Sequence, residues 1–454
     1  MTKKFRPYDP NQIMLLPPSL DEWLPEDHLV HFIDDIVDSL DISAILSVYE
    51  RELRGFPPYH PAMLLKVLIY AYSTGTYSSR KIAKACQENV AYRMLSANQF
   101  PDFRTISDFR KRHLAAFENL FLQVLHICSE SGMVKLGHIA LDGTKIKANA
   151  SKHKAMSYGR MKQDSEKLRK EIRDLLRQVE HVDEREDRRY GSTRGDELPV
   201  ELTRRETRLK KIQEAMATLE KRAKEQAEQE SKDNKDDPDG KGPGGKRRGR
   251  PRKQPKDLPA DKAQMNFTDP ESRIMKTANG FIQGYNVQSV VDEAYQIIVA
   301  TKVTNSPADA GHLRDMMRMV EENMSKKPKR LSCDAGYFKQ DDITWLESEG
   351  IDPYIATGRQ PHNTMPITVR GRIPSHYGVK ERMARKLKTK KGHAIYARRK
   401  VIVEPPHGQI KHCRKFDHFS LRGLAKVEGE WSLVAMCHNL LKLFRYGTPK
   451  WATV

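Results

Sequence analysis

Three acidic residues, Asp142, Asp334 and Glu404, have the side-chain chemistry and the sequence context of a metal site. Each lies at the edge of an apolar or turn-forming segment, in a chain whose 80 Lys and Arg against 60 Asp and Glu give a net charge of +20. Mg²⁺ prefers carboxylate oxygens, and pairs of divalent ions catalyse displacement at phosphorus. A single Asp in such a place is more often a turn former, but three such acids together favour a metal site.

Apolar runs predict that two of these acids lie on or beside strands. Asp142 follows the apolar residues 139–141, and β-branched residues continue the extended pattern after it. Asp334 follows a second short run, residues 331–333, at an Ala-Gly turn. We therefore predict that Asp142 lies within a buried strand and that Asp334 lies at the carboxyl end of another.

Glu404 is followed directly by Pro405 and Pro406. Proline suits the first turn of a helix, because no hydrogen bond is lost there. We therefore predict that Glu404 stands at a helix start, with Lys411 within about 20° of it on the same helical face. The alternative is an exposed pair of charges with no partner.

Asp309, in the segment NSPADAGHL, has two interpretations. It is either the N-terminal residue of the following helix, which we favour, or a fourth acid near the site.

The composition restricts the partner and the class of protein. The positive net charge favours a polyanion, and nucleic acid is the leading candidate. No apolar stretch approaches the roughly 20 residues of a membrane span. The five cysteines form no CxxC pair, which argues against a disulfide framework and a zinc ribbon.

Residues 1–134 are predicted to form an all-helical DNA-recognition domain. Apolar residues recur at helical spacing after Pro25 and after Pro61. Residues 76–96 predict two short helices that resemble a helix-turn-helix, with Arg80, Lys81 and Lys84 exposed for DNA binding. The alternative is a plain helical bundle with solvated basic side chains.

A charged insertion is predicted at residues 156–260, between a first strand region at residues 135–155 and the rest of an α/β unit at residues 261–454. Two apolar stripes within residues 161–219 indicate a helical hairpin. After Gln229 the composition is too polar to bury a core, which predicts a disordered tether.

Within the tether, residues 246–253 have the sequence KRRGRPRK. The Arg-Gly-Arg-Pro order resembles an AT-hook, in which the backbone lies in the minor groove of A·T-rich DNA and arginines enter it. Arg248 and Arg250 are the predicted contacts. The alternative is a solvated basic linker, and both interpretations predict attraction to phosphate.

The segments IALDGTKIKANAS, NFTDPESRIM, GYNVQSVVD, LSCDAGYF and VEPPHGQIKH occur in this order. Together they resemble the signature blocks of bacterial insertion-sequence transposases of the DDE type. The resemblance implies a ribonuclease-H-like catalytic domain split by the insertion, with Asp142 on its first strand, Asp334 at the end of its fourth and Glu404 on a later helix. It also implies two Mg²⁺ ions, replaceable by Mn²⁺: Asp142 bridges both ions, and Asp334 and Glu404 each bind one.

The same family has a pattern of Tyr, basic residue, Glu and Lys around its Glu. Tyr396, Glu404 and Lys411 match this pattern, and the resemblance implies that Tyr396 and Lys411 contact DNA. The family places the arginine four residues before the Glu, where Lys400 stands, whereas Arg399 precedes Glu404 by five. Arg399 and Lys400 are therefore competing candidates for a DNA phosphate contact.

The resemblance implies a DNA transposase that binds the ends of an insertion sequence, cleaves DNA with Mg²⁺ and joins the 3′-OH ends to target DNA. Two alternatives are a non-catalytic, domesticated DNA-binding protein of the AT-hook kind and a ribonuclease-H-like nuclease without strand transfer. The expected partner is double-stranded DNA, with at least a dimer assembled on it. The expected location is the bacterial cytoplasm, in association with the nucleoid.

Overall fold

The computed structural model describes residues 19–50, 57–190, 200–235, 258–278, 280–358, 369, 371–374 and 376–447. Arg248 and Arg250 of the AT-hook-like segment lie outside these ranges. Within the described ranges, no helix combines the length and the apolar character that crossing a membrane requires.

The N-terminal region is helical, as the spacing of its apolar residues predicts. The helices are α1 (Leu29–Ser39), α2 (Ser43–Glu50), α3 (Pro61–Ser73), α4 (Ser79–Glu88), α5 (Val90–Leu95), α6 (Phe103–Arg112) and α7 (Leu114–Glu130). Pro61 is the first residue of α3, and the His60 side chain before it accepts a hydrogen bond from the Ala62 N–H. The two short helices predicted within residues 76–96 are α4 and α5.

A six-stranded mixed sheet forms the centre of the C-terminal region. The chain's strands are β1 (Ile139–Lys147), β2 (Ala155–Ser157), β3 (Gln264–Asn266), β4 (Arg273–Thr277), β5 (Gly280–Asp292), β6 (Ile298–Thr304), β7 (Arg330–Cys333) and β8 (Asp352–Ile355). In the main sheet β5 pairs antiparallel with β1, β4 and β6, while β7 pairs in parallel with β1 and β8. The predicted strand region at residues 135–155 therefore provides a central strand of a sheet whose other members come after the insertion.

Within the described ranges, seven further α-helices follow α7. They are α8 (Tyr158–Tyr190), α9 (Val200–Lys235), α10 (Leu313–Met324), α11 (Gln340–Ser348), α12 (Val379–Lys388), α13 (Lys390–Gly408) and α14 (Leu424–Tyr446). Helix α13 packs on β1, and α14 packs on α3, α7 and β6. One apolar core is thus shared by the N-terminal helices and the sheet.

A buried polar network joins the first third of the chain to α14. Arg110 of α6 donates a hydrogen bond to the Tyr72 hydroxyl at 2.9 Å, and this hydroxyl donates to Glu430 Oε1 at 2.9 Å. Glu430 Oε2 accepts the backbone N–H groups of Ser420 and Leu421. Because Glu430 is fully buried, these partners compensate for its desolvation.

The predicted helical hairpin is formed by α8 and α9, which pack against each other. In the chain they lie between β2 and β3, two short strands that pair with each other. A second, smaller apolar cluster holds it, made of Tyr158, Met161, Leu168, Ile212, Ala215, Leu219 and Met265. Arg205 of α9 pairs with Glu171 of α8 at 3.2 Å. The hairpin therefore has a core separate from the one shared by the helices and the sheet.

Candidate active site

Asp142 lies in the middle of the sheet, on β1 between β5 and β7. The three residues before it are fully buried, so strand pairing fixes the position of its carboxylate. Leu141 of β1 pairs in parallel with Cys333, the last residue of β7. Asp142 and Asp334 directly follow the two members of this pair. Asp334 is held at this position because its side chain accepts the Gly336 N–H at 2.8 Å.

The carboxylate of Asp142 is only 20% exposed. Burial raises the pKa of Asp142 to about 6, and the nearby charges of Asp334 and Asp309 add to this rise, while Arg399 opposes it. Three carboxylates thus lie near enough to repel one another. Such an arrangement is typical of functional sites that receive a cation.

Arg399 of α13 is the cation that meets these acids. Its Nη1 donates to Asp142 Oδ2 at 3.2 Å, and its side chain is 12% exposed. Burial lowers the pKa of Arg399, but the charges of Asp142, Tyr396, Asp334 and Glu404 outweigh burial and raise it. Its Nε is buried and has no hydrogen-bond partner within the described part of the chain.

Arg399 and Lys400 lie in different surroundings. Arg399 faces Asp142, whereas Lys400, the next residue of α13, is exposed. Tyr396 is half-buried on the same helix, with its ring 6.0 Å from the Arg399 guanidinium carbon. Tyr396 and Arg399 therefore share one face of α13, and Lys400 lies outside it.

Glu404 does not stand at a helix start, so that prediction is wrong. Helix α13 begins at Lys390 and continues through Pro405 and Pro406 to Gly408. Pro405 has no N–H to donate to Val401 O, the carbonyl one turn earlier. The side chain of Gln296, from the turn between β5 and β6, donates to this oxygen at 2.8 Å instead. Glu404 therefore projects from the last turn of a long helix.

Lys411 lies beyond the end of α13, in a π-helical segment at Gln409–Cys413. Its Nζ donates to Thr144 Oγ1 at 3.2 Å and to Lys145 O at 3.1 Å. Thr144 is two residues after Asp142 and therefore lies on the same face of β1. Lys411 thus joins the segment that directly follows the Glu404 helix to the strand that carries Asp142.

Asp309 lies near these acids, in a place that differs from the favoured prediction. The favoured interpretation, an N-terminal helix residue, is wrong because α10 begins only at Leu313, after His312. Asp309 Oδ1 accepts hydrogen bonds from Asn286 Nδ2 at 2.8 Å and from Gln288 Nε2 at 2.9 Å. These partners lie on β5, so its place depends on strand pairing that no local pattern reveals.

Two glycines make room for Asp309 among the acids. A Cβ on Gly143 would lie 2.4 Å from Asp309 Oδ1. A Cβ on Gly336 would lie 3.0 Å from Asp334 Oδ1 and 3.4 Å from Asp309 Oδ2. The glycine after Asp142 was the available sequence signal, since it marks a close approach by another group.

The remaining predicted DNA contacts lie elsewhere. Arg80, Lys81 and Lys84 are exposed on α4, as predicted, and Arg80 lies over the Phe103 ring at 4.8 Å. Within the described ranges no contact joins these three residues to the acids around Asp142. They remain predicted DNA contacts of the helical region.

The acids match Mg²⁺ in donor chemistry, since they offer only carboxylate oxygens. Among the residues that the structure describes, no three His, Cys, Asp or Glu side chains converge closely enough to hold a metal ion. Arg399 instead supplies the positive charge at Asp142. Asp142, Asp334 and Glu404 therefore remain predicted metal ligands, and Arg399 is the cation that contacts Asp142.

Two family models match the chain. Residues 18–112 match a transposase domain (DUF772), and residues 251–440 match a transposase DDE domain. No curated protein and no solved structure matches it. The second range includes Asp334, Glu404 and Lys411 but begins after Asp142, which only the sheet brings to Asp334.

Proposed function

We propose that this chain, an insertion-sequence transposase of the DDE type by its two family matches, binds the ends of its element, cleaves them by Mg²⁺-dependent hydrolysis and joins the 3′-OH ends to target DNA. One observation carries the proposal. Asp142 and Asp334, far apart in the chain, follow paired residues of adjacent parallel strands, and Arg399 of the Glu404 helix contacts Asp142.

The sheet supports a ribonuclease-H-like catalytic domain. Its main strands lie in the order β6, β5, β1, β7 and β8, with β5 antiparallel to β1 and β6, and β7 parallel to β1 and β8. Counted without the short strands of the insertion and β4, Asp142 lies on the first strand and Asp334 follows the fourth. This is the arrangement that the family resemblance implies.

Each side chain has a role in this proposal. Asp142, Asp334 and Glu404 would hold the two Mg²⁺ ions that the family resemblance implies. When bound, the two ions make water nucleophilic and stabilise the leaving 3′ oxygen. Arg399 moves from Asp142 to a DNA phosphate, for which its planar guanidinium is suited.

Lys411 fixes the segment after α13 against β1 through its hydrogen bonds to Thr144 and Lys145. This contact ties the segment that follows the Glu404 helix to the strand that carries Asp142. The role of Lys411 is thus positioning, in addition to any attraction it exerts on DNA.

The proposal is tested with DNA that carries the element's own ends. The unaltered protein should cleave this DNA with Mg²⁺ and yield strand-transfer products. Asp142→Asn and Glu404→Gln should each lower the cleavage rate by at least about 100-fold, as expected when a metal ligand is lost. Asp315→Asn, which removes a half-exposed carboxylate of α10, should retain the rate.

The outcomes separate the alternatives. Cleavage that survives both substitutions would contradict the site. Cleavage without joined products would indicate a nuclease without strand transfer, and end binding without cleavage would indicate a domesticated DNA-binding protein.

We also propose that the chain pairs two DNA ends as at least a dimer, to which the α8–α9 hairpin contributes. The hairpin supports this idea because it is charged and has its own core, so it can project from the sheet without disturbing it.

A further inference from the structure

A cavity of about 420 Å³ lies where α9 passes beside β3 and β4. Arg222 of α9, Arg273 of β4 and Gln264 of β3 provide its polar lining. Apolar residues of α9 and the segment Leu258–Ala260 provide the rest. None of these residues belongs to the acidic site, so this cavity, termed the arginine cavity, is a separate feature.

The two arginines of the cavity converge on one carbonyl oxygen. Arg222 Nη2 donates to Pro270 O at 3.3 Å, and Arg273 Nη1 donates to the same atom at 2.9 Å. Two guanidinium groups are therefore held a few ångströms apart, where their charges repel. Burial, and then the charge of Arg222, lower the pKa of Arg273 to about 10.

The nearest acids are directed to other partners. Glu271 Oε2 accepts the backbone N–H of Leu424 at 2.8 Å. Both oxygens of Asp269 accept the Tyr285 hydroxyl, at 2.8 and 2.9 Å. These carboxylates reduce the repulsion between the arginines only from a distance.

One donor in the cavity has no acceptor. Arg222 Nη1 is buried and makes no hydrogen bond within the described part of the chain. Leaving a buried charged donor unpaired is unfavourable, because the donor loses its hydrogen bond to water without gaining another. Two adjacent guanidinium groups with a free N–H match an anion with several oxygens, and phosphate is the anion that arginine binds in two-point contacts.

The sequence beside the cavity indicates where such a phosphate comes from. Residues 241–256 contain no acid, and the basic run ends two residues before Leu258, which lines the cavity. DNA that contacts the last residue of this run, Lys256, therefore lies within reach of the cavity. An extended chain spans at most about 3.5 Å per residue, so two residues leave little separation.

We propose that the arginine cavity binds a backbone phosphate of the DNA duplex that the basic run at residues 241–256 engages. The proposal rests on DNA as the partner in the proposed function, but it needs neither cleavage nor the acidic site. The cavity fixes the position of the duplex on the hairpin, and the positive charge of the basic run adds attraction to phosphate.

The test measures the affinity for a short A·T-rich duplex, without divalent metal, as a function of salt. One phosphate contact contributes about 0.9 to the slope of log K against log salt. Arg222→Gln should therefore reduce this slope by about 1, and Arg222→Lys should reduce it less because the charge remains. Lys224→Gln, which removes one exposed charge from the same helix, should leave the slope nearly unchanged.

Arg222 is the residue to change because Arg273 also donates to the Glu271 and Ser272 carbonyls and so holds its own loop. The melting temperature of Arg222→Gln should stay close to that of the unaltered protein, which shows that the hairpin is folded. Equal slopes for Arg222→Gln and Lys224→Gln would overturn the proposal.

Inorganic phosphate distinguishes a DNA site from a site for a free anion. If millimolar phosphate stabilises the protein through Arg222 while the DNA slope is unaffected by Arg222→Gln, the cavity binds a free anion and the proposal is wrong. If the slope changes but the protein never cleaves DNA, the cavity proposal stands and the proposed transposition chemistry fails.

Discussion

Asp142, Asp334 and Asp309 place negative charge around the same short stretch of β1, and Arg399 is the positive group in contact with it. Carboxylates this close favour either a proton or a cation, because each raises the energy of the others in the charged form. In the protein on its own, Arg399 is the cation that reduces this repulsion. In the proposed function, Arg399 is thus also the residue that a divalent ion would displace from Asp142.

The raised pKa of Asp142 predicts a pH-dependent effect of Asp142→Asn. The folded pKa of about 6 exceeds the unfolded one, so the protonated carboxyl favours folding. This contribution is present at about pH 4 and is lost as the pH rises through 6. In EDTA, Asp142→Asn should be more stable than the unaltered protein at pH 8, by about 2 to 3 kcal/mol.

Urea denaturation at several pH values measures this difference, which should vanish near pH 4. Asp315→Asn, at a carboxylate that is 51% exposed, should give no such trend. A gain that is the same at every pH would contradict the role of the Asp142 charge.

Arg399 and Lys400 should differ in their effect on metal binding. Arg399→Gln removes the cation that competes for Asp142, so the affinity for Mn²⁺ should rise about fivefold, corresponding to roughly 1 kcal/mol. DNA affinity should fall in the same variant. Titration calorimetry at pH 8 measures the first effect, and Lys400→Gln is the matched control, with an expected change below about twofold. A larger effect at Lys400 would reverse the assignment.

Gly143 should not tolerate a methyl group. In Gly143→Ala the Cβ would lie 2.4 Å from Asp309 Oδ1 and 2.7 Å from Gln288 Nε2, so the bonded network must move. We expect a loss of about 1 to 3 kcal/mol in the free energy of unfolding. Gly137→Ala is the control, because nothing lies within 4 Å of its Cβ position. If the clash with Asp309 is the cause, Asp309→Ala should reduce the penalty of Gly143→Ala, and equal penalties in both backgrounds would exclude it.

At the level of single elements, local patterns predicted the strands that carry Asp142 and Asp334. Both strands contain a short apolar run directly before the acid, so composition alone locates them. The order of the strands in the sheet was not available from any local pattern. It depends on pairing between residues far apart in the chain, such as Leu141 with Cys333.

The same reasoning failed at α13 for a definite physical reason. Proline normally begins a helix because inside one it leaves a carbonyl unpaired. Here Gln296 supplies the missing donor to Val401 O, so the helix continues through Pro405. A donor from more than 100 residues away cannot be recognised from the sequence around Glu404.

Gln296→Ala should therefore destabilise α13 near Glu404. We expect a loss of about 1 kcal/mol from the hydrogen bond to Val401 O, and somewhat more because Gln296 also accepts from Lys442 Nζ. Pro405→Ala restores a backbone donor for Val401 O. Gln296→Ala should then have a smaller effect in the Pro405→Ala background, measured by urea denaturation. Additive losses would show that the two residues act independently.

At the scale of the whole molecule, the described residues form two apolar cores that do not share members. One joins the N-terminal helices to the sheet, and the other lies between α8, α9 and the short β2–β3 sheet. A substitution in the second core should therefore affect the hairpin first. The apolar stripes predicted the hairpin, but nothing in them indicated that Met265 would complete its core.

Ile212→Asp places a charge at a position that is 1% exposed in the hairpin core. The hairpin should become accessible to limited proteolysis while the rest of the chain stays resistant. Paired DNA ends should be lost in a gel-shift assay if the hairpin contributes to assembly. Lys211→Asp, at the exposed neighbouring position, is the control and should keep both properties. Proteolysis throughout the chain would show instead that the two cores unfold together.

The contact between Tyr72 and Glu430 has a consequence for how the protein is made. Helix α3 completes its packing only against α14, more than 350 residues later. During translation the N-terminal helices leave the ribosome long before α14, so their shared core stays incomplete until almost the entire described chain has been synthesised. A product truncated before α14 should therefore lack the finished packing of α3 and leave the buried face of this helix exposed.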